Sequence, residues 1–372
     1  MRPLSIALLG SRGVPAAYGG YETLMEELST RLVQRGHRVT VYCRDHYTPK
    51  SLAEFRGVQL IVLPTLRTKH LDTPAHTLLS AFRAAHESYD AGLLVNGANA
   101  LFIPLFRAAG MPVALHVDGI ERRRAKWGWL GRSVYALSER LATRLPDRLI
   151  TDAEVVRRYY LDQWQVESTV IAYGVEPRPE SPGELLQRLD VEPGRYLLYV
   201  SRFEPENNPH HVAAAYRHVG GDMPLVMVGG APYSRSFMRS FQRGADPRIR
   251  FPGPIFGSGY RELLSHAVGY IHATEVGGTH PALVEAMGYA NPVLVNDTPE
   301  NREVAGDAAV YFRAAQPATL TSALTDFLAA PDAERRRLSQ AAAERARDRY
   351  SWDRVVTAYE RLFAEMSELP RP

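Results

Sequence analysis

Short apolar, often β-branched runs alternate with amphipathic stretches of 12 to 18 residues along almost the whole chain, the pattern of βα units around a parallel sheet. In a first series this spacing predicts strands at 5–9, 38–43, 59–63, 92–95, 113–117, 148–150 and 169–172, with helices filling the gaps. Residues 173–195, which carry Pro177, Pro179, Pro182 and Pro193, break the rhythm and read as a connection between domains. The series then restarts, with strands expected at 196–200, 225–228, 249–251, 270–272, 293–295 and 310–312. A chain of 372 residues exceeds one ordinary core and suits two α/β domains of about 170 residues each. The expectation is therefore two Rossmann-like parallel-sheet domains facing a cleft, residues 1–174 and 175–351. The tail 352–372 is strongly helical, has no strand after it, and is expected to cross back onto the first domain.

Composition narrows the function classes. No segment approaches the roughly 20 uninterrupted apolar residues of a membrane span, and the first apolar run, Leu4 to Leu9, is cut by Gly10-Ser11-Arg12-Gly13, so it reads as a buried strand and not a signal peptide. The lone cysteine, Cys43, is read as a strand residue; it excludes an internal disulfide or a cysteine zinc cluster and fits a reducing, cytoplasmic compartment. A net charge of +3 gives no signal for nucleic-acid binding.

Ligands of open parallel sheets bind at the carboxyl ends of strands, where glycines admit a phosphate to backbone N–H groups and a helix N-terminus adds positive potential. Each half has such places. Gly10-Ser11-Arg12-Gly13 follows the first strand, with Gly19-Gly20 opening the next helix near Tyr21-Glu22. In the second half Gly229-Gly230 ends a strand, and residues 274–281, which include Glu275, Gly277, Gly278 and Thr279, lead into a helix carrying Glu285. Glycines that merely make tight turns are the alternative for any single pair. A dinucleotide dehydrogenase is disfavoured: the first loop reads Gly-x-x-Gly, and Asp45 lies about 35 residues beyond Gly10 where about 20 is expected.

The stretch Glu275-Val-Gly-Gly-Thr-His-Pro-Ala-Leu-Val-Glu285-Ala-Met resembles the second-domain signature of GT-B glycosyltransferases of family 4, and Arg202 followed by Pro205-Glu206-Asn207-Asn208 resembles their diphosphate site, with Asn207 where lysine is usual. Four segments are similar to the bacterial β-1,4-rhamnosyltransferases of polysaccharide assembly: residues 10–23, Val117-Asp-Gly-Ile-Glu121 with Arg124-Ala-Lys-Trp127, residues 205–208 and residues 276–279. The resemblance implies a retaining, metal-independent hexosyltransferase whose second domain binds a nucleotide sugar, most simply dTDP-L-rhamnose, and whose first domain holds a saccharide acceptor linked to a polyprenyl pyrophosphate. No further cofactor is implied. Arg202 would hold phosphate oxygens in a fork, the amides of Gly277, Gly278 and Thr279 would take up leaving-group charge, and Glu285 would accept the ribose hydroxyls. Glu275 is implied at the donor sugar, although its spacing to Glu285 is two residues longer than usual. Arg12, with Gly19 and Gly20, is the candidate for additional phosphate or acceptor contact.

Breaking a glycosyl phosphate bond builds positive charge on the sugar and negative charge on the diphosphate. In retaining enzymes of this type the phosphate oxygen can itself take the acceptor's proton. Asp118, where the resemblance places a residue beside the donor sugar, is the first candidate to orient the sugar or acceptor hydroxyl, and His116 the second; a helix cap is the alternative for the carboxylate. His272 and His280 read as core and loop histidines, since no metal-like spacing links them to other ligands.

Residues 121–148 hold eight basic side chains against three acids, with Trp127 and Trp129 among them. Such a stretch is either a solvated helix face or a contact for an anionic membrane. Peripheral attachment to the inner face of the membrane is the expectation that the resemblance favours. The alternatives are another UDP- or GDP-sugar donor on the same scaffold, a hydrolysing sugar-nucleotide epimerase, or a binding-only relative.

Overall fold

The computed structural model describes residues 2–16, 19–68, 71–119, 129–231 and 235–369. The chain forms two compact units, the first holding the described residues up to 173 with the helix that begins at Trp352, the second Gly174–Ser351.

The first unit is built from β1 (Ser5–Leu9), α1 (Gly20–Gln34), β2 (Arg38–Arg44), β3 (Glu54–Phe55), β4 (Val58–Leu63), α2 (Asp72–Ala84), β5 (Ala91–Val95), α3 (Ile103–Ala108), β6 (Val113–Val117), α4 (Trp129–Ala142), β7 (Arg148–Thr151), α5 (Glu154–Trp164) and β8 (Thr169–Val170). The strands order as β3-β4-β2-β1-β5-β6-β7-β8, parallel except for the short β3, which pairs antiparallel with β4 and has no signal in the periodicity. Helices cover both faces, so the central strands are apolar on both sides and read as continuous runs: β5 and β6 are buried throughout.

One face packs Leu24, Leu28 and Leu32 of α1; the other packs Ala81 of α2, Phe106 of α3, Ala142 of α4 and Tyr160 of α5.

The second unit contains α6 (Glu184–Leu189), β9 (Leu197–Val200), α7 (Pro209–Tyr216), β10 (Leu225–Val228), α8 (Arg235–Gln242), β11 (Ile249–Gly253), α9 (Gly257–His266), β12 (Gly269–His272), α10 (Pro281–Gly288), β13 (Val293–Asn296), α11 (Pro299–Ala305), β14 (Ala309–Phe312), α12 (Pro317–Ala329) and α13 (Asp332–Tyr350). Its sheet is parallel, ordered β11-β10-β9-β12-β13-β14. The proline-rich segment that reads as the connection between domains contributes a helix to this unit. It carries α6, whose first turn is held by Glu262 accepting from the amides of Gly183 (2.8 Å) and Leu186 (3.3 Å), a side-chain cap supplied from α9.

The last helix, α14 (Trp352–Ser367), returns to the first unit. Its buried residues Trp352, Val355, Val356, Tyr359, Leu362, Phe363 and Met366 recur every three or four positions and join the α1 face of the core. Each such burial contributes about 2 kcal/mol. Arg35 fixes the helix through Asp353 (2.5 Å) and Glu360 (2.6 Å).

Candidate active site

In each sheet the chain runs outward from a central strand and then returns to that strand's other side. The resulting topological switch, where ligands of such sheets bind, lies between β1 and β5 in the first unit and between β9 and β12 in the second.

At the second switch the loop 201–208 meets the loop 273–280. Asn208, in the left-handed conformation (φ 56°), donates from Nδ2 to the Ala273 carbonyl (2.9 Å) and to Glu275 Oε1 (3.0 Å), while the Glu275 amide donates to the Glu206 carbonyl (2.9 Å). These bonds bring Arg202, Glu275 and the glycines before α10 to one strand edge. Arg202 is exposed, and its guanidinium makes no ion pair among the described residues. Its carbonyl accepts from Asn207 Nδ2 (2.6 Å), and the Tyr199 hydroxyl donates to the Asn207 carbonyl (2.6 Å). Asn207 is thus buried and spends its side chain shaping the Arg202 loop; it stands where a lysine would offer charge, but holds the backbone instead.

Gly277 and Gly278 precede α10, and their amides have no hydrogen-bond acceptor among the described residues. Donors of that kind, at the positive end of a helix, suit an anion. A Cβ at Gly277 would lie 2.4 Å from the His280 ring, so only glycine fits. Thr279 is buried in the same turn. Glu285, half-buried in α10, accepts the Tyr260 hydroxyl of α9 at 2.7 Å; burial and then the carboxylate hold the Tyr260 phenol well above its usual pKa. Gly229 supports this site from β10: φ is +148°, and a Cβ would fall 1.8 Å from the Ser201 carbonyl.

His272 is fully buried and its pKa is held well below the usual value by burial and then by His280, whose ring centroid lies 4.8 Å away. Among the described residues no group of three or more His, Cys, Asp or Glu side chains is placed to hold a metal ion.

At the first switch Gly10 (φ +94°) passes 2.6 Å, measured from a hypothetical Cβ, from the Val95 carbonyl. In the expected phosphate or acceptor loop two backbone amides are taken by the protein's own acids. Glu22 Oε1 accepts the Arg12 amide (3.0 Å) and lies 3.7 Å from its guanidinium, and Glu26 accepts the Ala16 amide (2.7 Å). Gly19 is the N-cap of α1 and Gly20 its first residue, so both serve the helix start. Opposite them Asn96 adopts φ 74°, uncommon for a non-glycine residue, with its side chain accepting the Ala98 amide (3.1 Å).

The two candidates after the first-domain strands separate. Asp118 lies just beyond β6, half-buried, and its charge helps raise the Tyr21 and Tyr173 phenol pKa values, burial being the larger cause in both. His116 is inside β6 and fully buried; burial pushes its pKa down to about 3, so the ring is neutral. Its Nδ1 pairs with the Tyr359 hydroxyl, and Nε2 has no partner. Of the two, only Asp118 keeps part of its surface exposed. Glu121, Arg124, Lys126 and Trp127 lie outside the described residues, as does the side chain of Trp129. Tyr260 and Tyr359 have no counterpart among the residues the sequence singles out, and neither carries a local signal. Asn208 stands in the 205–208 motif, an asparagine before a helix-opening proline, without its tie to Glu275 being visible there.

Comparison with known proteins agrees with this architecture. Residues 19–174 match the family described as a glycosyl transferase 4-like domain, and residues 186–345 match the family described as glycosyl transferases group 1. Among solved structures, a sucrose-phosphate synthase from Thermosynechococcus elongatus is similar at a TM-score of 0.78 and 17% identity, covering 98% of this chain and 99% of that one. HepE of Anabaena, solved in complex with UDP-glucose, gives 0.78 and 16% over 98% and 99%. An α,α-trehalose 6-phosphate synthase from Burkholderia multivorans gives 0.72 and 12% over 99% and 97%. At these identities the likeness is one of fold. No curated protein sequence matches the chain.

Proposed function

Since both halves of this chain belong to the GT-B glycosyltransferases, we propose that it transfers a hexosyl group with retention from a nucleoside diphosphate sugar bound by the second domain to an acceptor bound by the first. One observation carries the donor assignment: at the β9/β12 switch the unpaired Arg202 guanidinium and the amides of Gly277 and Gly278 lie on loops joined through Asn208. A diphosphate leaving group would be held there by a charge-assisted fork and by amides that strengthen their bonds as charge develops. Glu285, oriented by Tyr260, is assigned to the ribose. Asp118 is assigned to orient the sugar or the acceptor hydroxyl, and a diphosphate oxygen takes the acceptor's proton. The reaction so read uses no metal and no cofactor beyond the nucleotide sugar.

The donor proposed is dTDP-L-rhamnose and the acceptor a saccharide on a polyprenyl pyrophosphate, on the strength of the motif at residues 10–23 and of Asn207-Asn208. UDP-glucose is the second reading, favoured by the HepE complex. The proposed setting is the cytoplasmic face of a membrane; no described helix is long and apolar enough to cross one. Calorimetric titration with dTDP, UDP and GDP, followed by product analysis with the matching sugar donors, tests the proposal. Tight dTDP binding with rhamnosyl transfer supports it, a preference for UDP moves the donor to the second reading, and binding of none of the three rejects the donor site. Consumption of UDP-GlcNAc without an acceptor would identify an epimerase instead.

A further inference from the structure

Helix α2 turns its large apolar side chains outward. It buries His76, Thr77 and Ser80 beside the small Ala81 and Ala84, and exposes Pro74, Leu78, Leu79 and Phe82, with Phe82 60% exposed and Leu71, just before the helix, 51%. Each inward polar side chain makes a hydrogen bond, His76 Nε2 to the Cys43 carbonyl (3.0 Å), Thr77 to Asn99 Oδ1 (2.8 Å) and Ser80 to the His76 carbonyl (2.8 Å), with His76 Nδ1 left without one. The neighbouring helices are apolar on their outer sides as well: α3, which buries Ile103 and Phe106, exposes Pro104, Leu105 and Ala108, and α4 exposes Val134, Ala136 and Leu137. The turn 97–102, with Leu101 exposed, packs against α2 and α4 and leads into α3, which makes the outward apolar set continuous. All three helices bury their other side in the same core, so these faces point the same way.

Other helices behave ordinarily. α5, in the same layer, exposes Arg158, Asp162 and Gln163, and α14 exposes Asp353, Arg354, Arg361 and Glu365. Among the described exposed positions of α2, α3 and α4 the only charge is Arg140. Arg144 is exposed one turn further on, and the acids at the rim, Glu87 and Asp147, are paired with Arg83 (2.7 Å) and Arg107 (3.6 Å). An apolar face this continuous marks a docking surface. Its uncompensated charge is positive, so a second copy related by a twofold axis would bring like charges together, whereas anionic headgroups complement it.

We propose that the outer faces of α2, α3 and α4 dock on an anionic lipid bilayer, with Leu78, Leu79, Phe82, Leu105 and Leu137 entering the boundary between headgroups and acyl chains and Arg140 and Arg144 meeting lipid phosphates. The proposal rests on the reading of a membrane-borne acceptor and gives it a place on the molecule. The test is co-sedimentation of the full chain with vesicles of equimolar phosphatidylglycerol and phosphatidylcholine, at low and high salt, beside a Leu79→Asp/Phe82→Asp double variant. Both substitutions are at exposed positions, and circular dichroism with nucleotide calorimetry verifies fold and donor site. Wild type is expected to sediment at both salt concentrations, because apolar insertion is not screened, and the double variant to lose about tenfold or more of its binding. Equal sedimentation of the two proteins, or none by wild type, overturns the proposal, as does a dimer of wild type that the double variant abolishes. Nucleotide binding without vesicle binding removes this surface alone; vesicle binding without nucleotide binding removes the donor reading and leaves the surface standing.

Discussion

The hydroxyl of Tyr359 lies 2.8 Å from Nδ1 of His116, joining the last helix of the chain to the strand that ends just before Asp118. Both residues are fully buried. The returning helix therefore does more than add apolar surface: it supplies the one side-chain hydrogen bond of a neutral imidazole whose other nitrogen has none.

Tyr359→Phe would remove that bond and leave a second buried ring nitrogen unpaired, at a cost of about 1–3 kcal/mol. Denaturant unfolding should register this loss. If the ring also positions the Asp118 segment, kcat falls while the dissociation constant for the nucleoside diphosphate, whose proposed site is in the other unit, stays at the wild-type value. An unchanged unfolding free energy would show that the bond contributes nothing.

Arg202→Ala should weaken nucleoside diphosphate binding by about tenfold to a hundredfold, the range of one or two charge-assisted hydrogen bonds. Arg202→Lys should recover part of the loss, since a point charge replaces a planar fork. Because Arg202 is exposed and unpaired, neither change should alter the melting temperature by more than a degree or two. Calorimetry of the three proteins with the preferred nucleotide measures this.

The strands were legible because a sheet covered on both faces writes each central strand as an unbroken apolar run, as at residues 6–9 and 293–295. The two-residue β3 was not, since two residues carry no period. Of the candidate site, the glycines and charged residues were visible because their chemistry is local. What orients them was hidden: Tyr260 and Glu285 are 25 positions apart, Asn208 and Glu275 are 67 apart, and Tyr359 and His116 are 243 apart. No spacing rule reaches across such distances. The partner of Asn207 was hidden as well: it stands where the resemblance has a lysine, and its side chain donates to a backbone carbonyl that only the fold brings near.

Buried neutral histidines make stability depend on pH. His76 is pushed down to about 4 and His116 to about 3, burial being the first cause in each. The unfolded chain binds protons to these rings below about pH 6.5, the folded chain only near the lowered values. Protons thus favour unfolding throughout that window, and stability that is fully present above about pH 6.5 is lost as pH falls, by up to about 1.4 kcal/mol per unit for each ring. Melting curves from pH 7 to pH 4 should slope downward, and His76→Gln, which keeps an N–H for the Cys43 carbonyl, should flatten the slope. A variant slope equal to that of wild type would show that His76 takes up no proton on unfolding.

Asn208 serves the site in two ways, by adopting a left-handed backbone at φ 56° and by bonding to Ala273 and Glu275. Two substitutions separate them. Asn208→Ala loses both bonds and adds the left-handed penalty of a side chain, about 1–2 kcal/mol. Asn208→Gly loses the same bonds but relaxes the backbone, so its stability should exceed that of the alanine variant by roughly that amount. If the tie is what holds Glu275 at the donor, both variants lower kcat/KM for the nucleotide sugar equally despite their different stabilities. If instead the backbone turn is what matters, the glycine variant turns over like wild type and only the alanine variant is impaired. Unfolding titrations and steady-state kinetics on the same three proteins distinguish the two outcomes, because stability reports on the turn and the shared kinetic loss reports on the bonds.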